Sequence, residues 1–344
     1  MRLCANLLWS DLDFVSDLQI FEAGIRNVLF CYQRTDGRNN VPLRIRHEGE
    51  FGSSISLPSL PQNEATHRLF QPDSHKQTAS MSAETVPLEK ICYISVGAVV
   101  HADEKEHLGE FRLEDLIQDY SDKKHPKIFV EGKDLARWIV KRIRYIEWGT
   151  HRAPSHFRRP TFPAMYGVKE KLISVDMAAG TAKLRVAYDN TQVFHNHSAW
   201  SFVPWYLLKG VRNRSIAKSA KYRDEAEASL AEYREDREDL SSQFNLKYIL
   251  AVMNSPWARD YLRSRRRSNI HLYPDDWKPL PVPIVSQSVQ EVIANKVDEI
   301  LKALKKSPDV SPLEEEVDEM VSILYGVGNQ QGRELGVASN ASVI

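Results

Sequence analysis

Cys92-Tyr93-Ile94-Ser95-Val96-Gly97-Ala98-Val99-Val100 opens the series of short, β-branched and aromatic runs that decides the fold class. Lys127 to Val130, Arg142 to Trp148, Lys171 to Val175, Lys183 to Ala187 and Trp200 to Pro204 follow it, separated by Gly, Pro and Asn. Runs this short, with turn residues between them, are strands rather than helices, so Ile91 to Val211 reads as a curled, mixed sheet with few helices. Downstream the period changes. Asn245 is placed to cap a helix carrying Leu246, Ile249, Leu250, Val252 and Met253. Leu280-Pro281-Val282-Pro283-Ile284 must be extended, because alternating prolines cannot pair as a central strand. Val289, Val292, Ile293, Val297, Ile300, Leu301 and Leu304 then fall at helical spacing, and Ser311, Pro312 and Glu314 suggest a capping box opening a last helix.

Upstream, the segment from Leu12 to Arg34 reads as a small piece of sheet, with the β-rich run Asn27-Val28-Leu29-Phe30-Cys31-Tyr32. His47 to Leu88 is rich in Ser, Pro, Gln and Asn without periodicity and reads as a linker. The fold class is therefore α+β. The expected organisation is a β segment over 1–47, a linker over 48–90, a sheet-rich part over 91–215, a charged helical insertion over 216–243, a helical part over 244–328 and a tail over 329–344.

With 344 residues and 42% hydrophobic composition the chain can bury a sizeable core. No stretch approaches the roughly 20 apolar residues of a membrane span, and Asp11 and Asp13 interrupt the one apolar run near the start. Cys4, Cys31 and Cys92 are too far apart for a disulfide framework or a Cys-x-x-Cys metal knuckle, which favours a cytoplasmic, reducing setting.

Net charge is zero, but it is segregated. Lys124 to Arg159 holds ten Lys or Arg against three Asp or Glu, interleaved with Phe129, Trp138, Tyr145, Trp148 and Phe157. Arg259 to Arg267 adds five arginines against one acid, while Tyr222 to Asp239 places eight carboxylates against three arginines. The last segment lacks an apolar stripe and reads as a solvated insertion. Basic stretches interleaved with aromatics suit a nucleic acid.

Catalytic chemistry is sparse. The only Gly-x-Gly, Gly326-Val327-Gly328, follows a helix with no βα unit after it, and no Asn-Pro-Pro or Asp-Pro-Pro occurs to hold a flipped base. Pro72-Asp73 with Glu131-Gly132-Lys133 formally matches a metal-dependent nuclease motif, at a separation of nearly sixty residues. His195-Asn196-His197 could suggest a metal pair, but it has no neighbouring Cys, Asp or Glu, so polar strand or DNA-facing side chains are the better reading.

Several ordered stretches resemble the TaqI-like specificity domain that ends many type II and type IIG adenine methyltransferases. Asp17-Leu18-Gln19-Ile20-Phe21-Glu22-Ala23 with Asn27-Val28-Leu29 is similar to the last strands of that family's catalytic domain. Phe129-Val130-Glu131-Gly132-Lys133-Asp134-Leu135-Ala136-Arg137-Trp138 resembles its Gly-Lys-Asp segment, and Phe194-His195-Asn196-His197-Ser198 with Val203-Pro204-Trp205 its central Asn-His-Ser stretch. Leu246-Lys247-Tyr248-Ile249-Leu250-Ala251-Val252-Met253-Asn254-Ser255 resembles its helix, and the Pro-rich strand and terminal helices its ending.

The resemblance implies that 1–47 carries the last strands of a methyltransferase domain and that 91–215 and 244–328 form a DNA target-recognition domain, with double-stranded DNA as the expected partner. It implies no cofactor in this chain, with S-adenosylmethionine held by a partner methyltransferase domain or subunit and a nuclease as a further partner. It also resembles the half-domains of type I specificity subunits, whose role would be non-enzymatic assembly. In this reading Lys133, Lys141, Arg142, Arg144, Arg158 and Arg159 neutralise phosphates along a cleft. Asn196, His197, Arg212 and Asn269 have the chemistry for base readout. Arg263, Arg265, Arg266 and Arg267 cannot share one helix face, so some of them, Arg265 and Arg266 foremost, reach DNA or a partner. Trp200, Trp205 and Trp257 are expected in the core.

Overall fold

The structure, a computed structural model, describes residues 83–100, 109–157, 162–175, 183–226, 229–265 and 271–327. It also describes the backbone of four N-terminal strands, and of residues 264–265 the backbone alone. Those strands are β1 (Leu7–Phe14), β2 (Val28–Arg34), β3 (Asn40–Ile45) and β4 (Ile55–Pro61), in the order β2-β1-β3-β4. β1 runs antiparallel to β2 and parallel to β3, and β3 runs antiparallel to β4. β4 occupies part of the stretch expected to be linker. Its Ser and Pro content hid an edge strand, a sheet position that tolerates proline.

The principal sheet is antiparallel, ordered β11-β10-β13-β6. It is built from β6 (Cys92–Val96), β10 (Lys171–Val175), β11 (Val186–Asp189) and β13 (Ala199–Pro204). All six residues of β13 are buried, because both faces of the sheet are covered. The Phe202–Ile94 cross-strand pair contributes to one core and the Val203–Tyr93 pair to a second, as alternation along a strand requires. Full burial of each such side chain stabilises by roughly 1.5–3 kcal/mol. A second sheet, β12-β8-β9-β7, joins β7 (Ile117–Gln118), β8 (Lys127–Val130), β9 (Arg144–Ile146) and β12 (Phe194–His195), with β12 parallel to β8. β14 (Pro281–Pro283) pairs antiparallel with β5 (Thr85–Pro87) as a two-stranded ribbon, where Val282 and Val86 are buried and a missing proline N–H is tolerated. The fold is α+β, with separate small sheets instead of one curled sheet.

Among the described residues five longer helices complete it: α1 (Arg234–Ser241), α2 (Leu246–Asn254), α3 (Pro256–Arg265), α4 (Gln287–Ala303) and α5 (Ser311–Leu324). The Asn245 side chain caps α2 by accepting from the Lys247 N–H at 2.9 Å. Every residue of α2 except Lys247 is buried, as expected of a helix packed on all sides. On α4, Ile293, Val297 and Ile300 face the core, whereas Val292 lies off that stripe and is 49% exposed.

The cap of α5 is not Ser311, whose N–H donates to Asp309 Oδ1 at 3.1 Å, and Glu314 closes no capping box. Its carboxylate is drawn away by Trp138 Nε1 at 2.7 Å, Lys183 Nζ at 2.6 Å and Arg137 Nη1 at 2.8 Å. The acidic segment is not a solvated excursion either. Arg234 is 1% exposed, lies over the rings of Trp205 and Tyr222, donates to the Leu208 and Val211 carbonyls, and pairs with buried Glu238 at 3.1 Å. The Tyr222 hydroxyl donates to Glu238 at 2.6 Å and accepts from the Gly210 N–H at 2.8 Å. A buried ion pair docks the segment where an apolar stripe would have served elsewhere. Of the three tryptophans assigned to the core, Trp200 and Trp205 are buried; Trp257 is half-buried and stacks on Tyr325 with ring centroids 3.7 Å apart.

Candidate nucleic-acid interface

β8 ends at Val130, and the extended backbone of Glu131 leads into a single 3-10 turn, Gly132–Asp134. The turn closes when the Glu131 N–H donates to Asp134 Oδ2 at 2.9 Å. Gly132 then lies flush against a second loop, Asn196 to Ser198, which follows β12. A Cβ at position 132 would stand 2.6 Å from the Ser198 carbonyl oxygen, so no larger residue fits without parting the loops. The Gly132 N–H donates to Ser198 Oγ at 2.8 Å, and that hydroxyl donates to Asn196 Oδ1 at 2.6 Å. Asn196 Nδ2 in turn reaches Glu131 Oε1 at 3.4 Å. Two stretches some 65 residues apart in sequence thus form one hydrogen-bonded platform.

Arg144 on β9 lies beneath the platform. It is 6% exposed and donates to Glu131 Oε2 at 2.7 Å and to Asp134. Burial opposes ionisation of Glu131, but hydrogen bonds from Lys133 and Arg144 overcome it and hold the carboxyl below its ordinary range. Both carboxylates are therefore occupied, and Arg144 braces the turn instead of facing a phosphate. Asn196, 4% exposed, is likewise committed to the platform and not available to a base edge.

What the platform presents outward is Lys133, with a side chain 68% exposed and 2.9 Å from Glu131, and the exposed His197. Lys141 and Arg142 are also exposed, Arg142 pairing with Asp119 at 2.8 Å. Arg212 is held elsewhere, clamped by Asp224 at 2.7 Å and Glu225 at 2.6 Å over the Tyr222 ring. Arg158, Arg159, Arg266 and Asn269, together with the side chain of Arg265, lie outside the described residues, as does Asp73. Among the described residues no three His, Cys, Asp or Glu come together as a metal site, and no helix is long and apolar enough to cross a membrane.

Sequence reasoning missed the brace behind the platform. Trp138 adopts a left-handed φ of 79° and bonds on both sides to β11, its N–H to the Val186 carbonyl and its carbonyl to the Tyr188 N–H. Arg137, 8% exposed, donates to the Asn254 carbonyl at 3.1 Å and to Asp318 at 2.6 Å. Asn254 bonds to both backbone groups of Val186. No local signal marks these partners, since Arg137 and Asp318 are 181 residues apart.

His195 supports the loop from within. Its Nδ1 must donate to the Asn196 carbonyl at 3.1 Å, which leaves Nε2 to accept from Ser201 Oγ at 2.6 Å. Burial pushes its pKa down to about 4. The neutral ring is the folded form, so its contribution is present above the unfolded value near 6.5 and is lost as pH falls toward 4. Glu147 acts at lower pH. Burial works against ionisation, but Arg152, Thr150 and Lys124 hold its pKa down to about 2. Its contribution is present above the ordinary value of 4.5 and is lost as pH falls from there toward 2. Urea midpoints between pH 7 and 3 should fall in two stages, and His195→Gln should flatten only the upper one; a single stage unchanged in that variant would contradict the assignment.

No protein-family model matches the chain, and no curated protein matches its sequence. Among solved structures it is similar to the type IIL restriction-modification enzyme MmeI in complex with DNA. The identity is 10% and the TM-score 0.47, over 94% of this chain and 44% of that one. It is also similar to the type IIG restriction endonuclease BpuSI, at 9% identity and TM-score 0.33 over 95% and 44% of the two chains. A third is the HsdS subunit from Thermoanaerobacter tengcongensis, at 12% identity and TM-score 0.29 over 76% and 49%. The chain spans less than half the length of each of these structures.

Proposed function

We propose that the chain is the DNA target-recognition portion of an adenine-specific methyltransferase of a restriction-modification system, with the TaqI-like type of specificity domain. The observation that carries the reading is the joining of the Gly132 turn to the Asn196–Ser198 loop, because it mounts Lys133 and His197 on one braced platform. Residues 91–215 and 244–328 form the recognition domain, and 1–47 the last strands of a catalytic domain. S-adenosylmethionine and the transfer chemistry belong to a partner catalytic domain or subunit.

In this mechanism Lys133, Lys141 and Arg142 neutralise phosphates, which fixes register without reading sequence. His197 reaches base edges, where an imidazole both donates and accepts. Arg144 and Asn196 act only by holding these groups in place.

Anisotropy of a labelled random-sequence duplex, titrated with salt, tests the reading. Each of Lys133→Ala, Lys141→Ala and Arg142→Ala should lower the slope of log affinity against log salt by about 0.9. His197→Ala should leave the slope intact and instead broaden the sequences recovered by in vitro selection. Absence of duplex binding by the wild-type chain at low salt would remove the proposal.

A further inference from the structure

Between the Ala136–Lys141 loop and the turn joining α4 to α5 lies an open groove of about 630 Å³. Lys141 lines one side, and Lys305 and Lys306 line the other. All three are exposed, and none makes an ion pair among the described residues. The carboxylate that lines the groove, Glu314, is already held by Arg137, Lys183 and Trp138, so it cancels little of the lysines' field. Beneath them Trp138 and Val310 are buried at 0% and 6% exposure, and Ile139, Val140 and Leu304 are partly exposed along the groove and make its lining apolar between the lysines. A concave surface with unpaired cations over a low-dielectric floor focuses positive potential and selects a polyanion.

We propose that this groove holds backbone phosphates of duplex DNA, with Lys305 and Lys306 on the C-terminal helical part opposite Lys141 of the sheet-rich part. The inference rests on the DNA-recognition reading and adds a contact surface to it. Lysines suit this role because a phosphate run needs spaced point charges without sequence information. It also gives the Arg137–Glu314–Asp318 brace a purpose, since phosphates can be gripped from two parts of the chain only if those parts keep a fixed spacing.

The test uses the full chain, a labelled random-sequence duplex and the Lys305→Ala/Lys306→Ala variant. The salt slope should fall by about 1.8, and affinity at 0.15 M salt by about thirtyfold, for two lost phosphate contacts. Melting should be unchanged, since both side chains are exposed, and Lys305→Arg/Lys306→Arg should restore the slope. If the lysines serve only as favourable charges at the C-terminus of α4, the alanine variant will keep the wild-type slope and the proposal fails. It fails equally if polyglutamate competes as well as duplex does, which would assign the groove to an acidic polypeptide. Wild-type binding with an unchanged variant slope overturns this inference alone, whereas no wild-type binding removes the recognition reading itself.

Discussion

Lys171→Met is expected to destabilise the fold by about 3–5 kcal/mol, the usual cost of stranding one partner of a buried ion pair. Lys171 and Asp189 have no exposed side-chain surface, and they bond across the β10–β11 ladder, with Lys171 also donating to the Tyr166 carbonyl at 3.1 Å. Burial drives the Lys171 pKa down despite the attraction of Asp189, so solvation has been surrendered and the pairing recovers only part of it. Asp189 also accepts from Thr191 N and Val193 N at 2.8 and 3.0 Å, fixing the turn that feeds β12 and the Asn196 loop. The effect should therefore reach the platform as well as the core. Methionine fills the volume but leaves the carboxylate unpaired. Lys171→Met/Asp189→Asn, which removes both charges, should recover more than half of the loss. Urea midpoints at constant m measure this; a single variant within 1 kcal/mol of wild type would show that the pair is dispensable.

Arg234→Met should cost a similar amount, about 3–5 kcal/mol, with a local signature that the first variant lacks. Two backbone carbonyls lose their donor and Glu238 loses its ion-pair partner, while the Tyr222 hydroxyl to Glu238 at 2.6 Å, the Tyr206 N–H to Ser241 Oγ at 2.9 Å and Arg237 to the Glu89 carbonyl at 3.3 Å remain on α1. The segment should open before the rest of the chain does. Limited trypsin digestion under native conditions should cut at Arg223 or Arg237 in the variant while the wild type resists. Arg234→Met/Glu238→Gln should restore part of that resistance. Equal digestion of both proteins would mean that the segment was never docked.

The two ion pairs explain why some of the molecule could be read from sequence and some could not. Strands such as Lys171–Val175 and the Asn245-capped helix were legible because local propensity and burial agree there. The acidic segment was not, since composition reports eight carboxylates but not that Glu238 is buried against Arg234. Glu314 looked like a capping residue because the partners that claim it, Arg137, Trp138 and Lys183, come from more than 130 residues away. The Gly-Lys-Asp and Asn-His-Ser stretches were legible as a pair of motifs. Which of their side chains point outward was not, and the structure separates Lys133 and His197 from the buried Arg144 and Asn196. Nothing in the local sequence marks Lys305 and Lys306, because the groove they line is completed by the distant Ala136–Lys141 loop.

The close contact of Gly132 with Ser198 also bears on how such a protein could change its preference over generations. With backbone meeting backbone there, an insertion or a bulkier residue in either loop would separate them, and His195 Nδ1 and the Asn196 carbonyl press on Gly97 in the same way. Diversity should then accumulate by exchange of single letters at position 197, with loop lengths held constant. A library randomised at that position should consequently yield mostly folded members with altered preferences, and one randomised at 132 or 196 mostly unfolded ones.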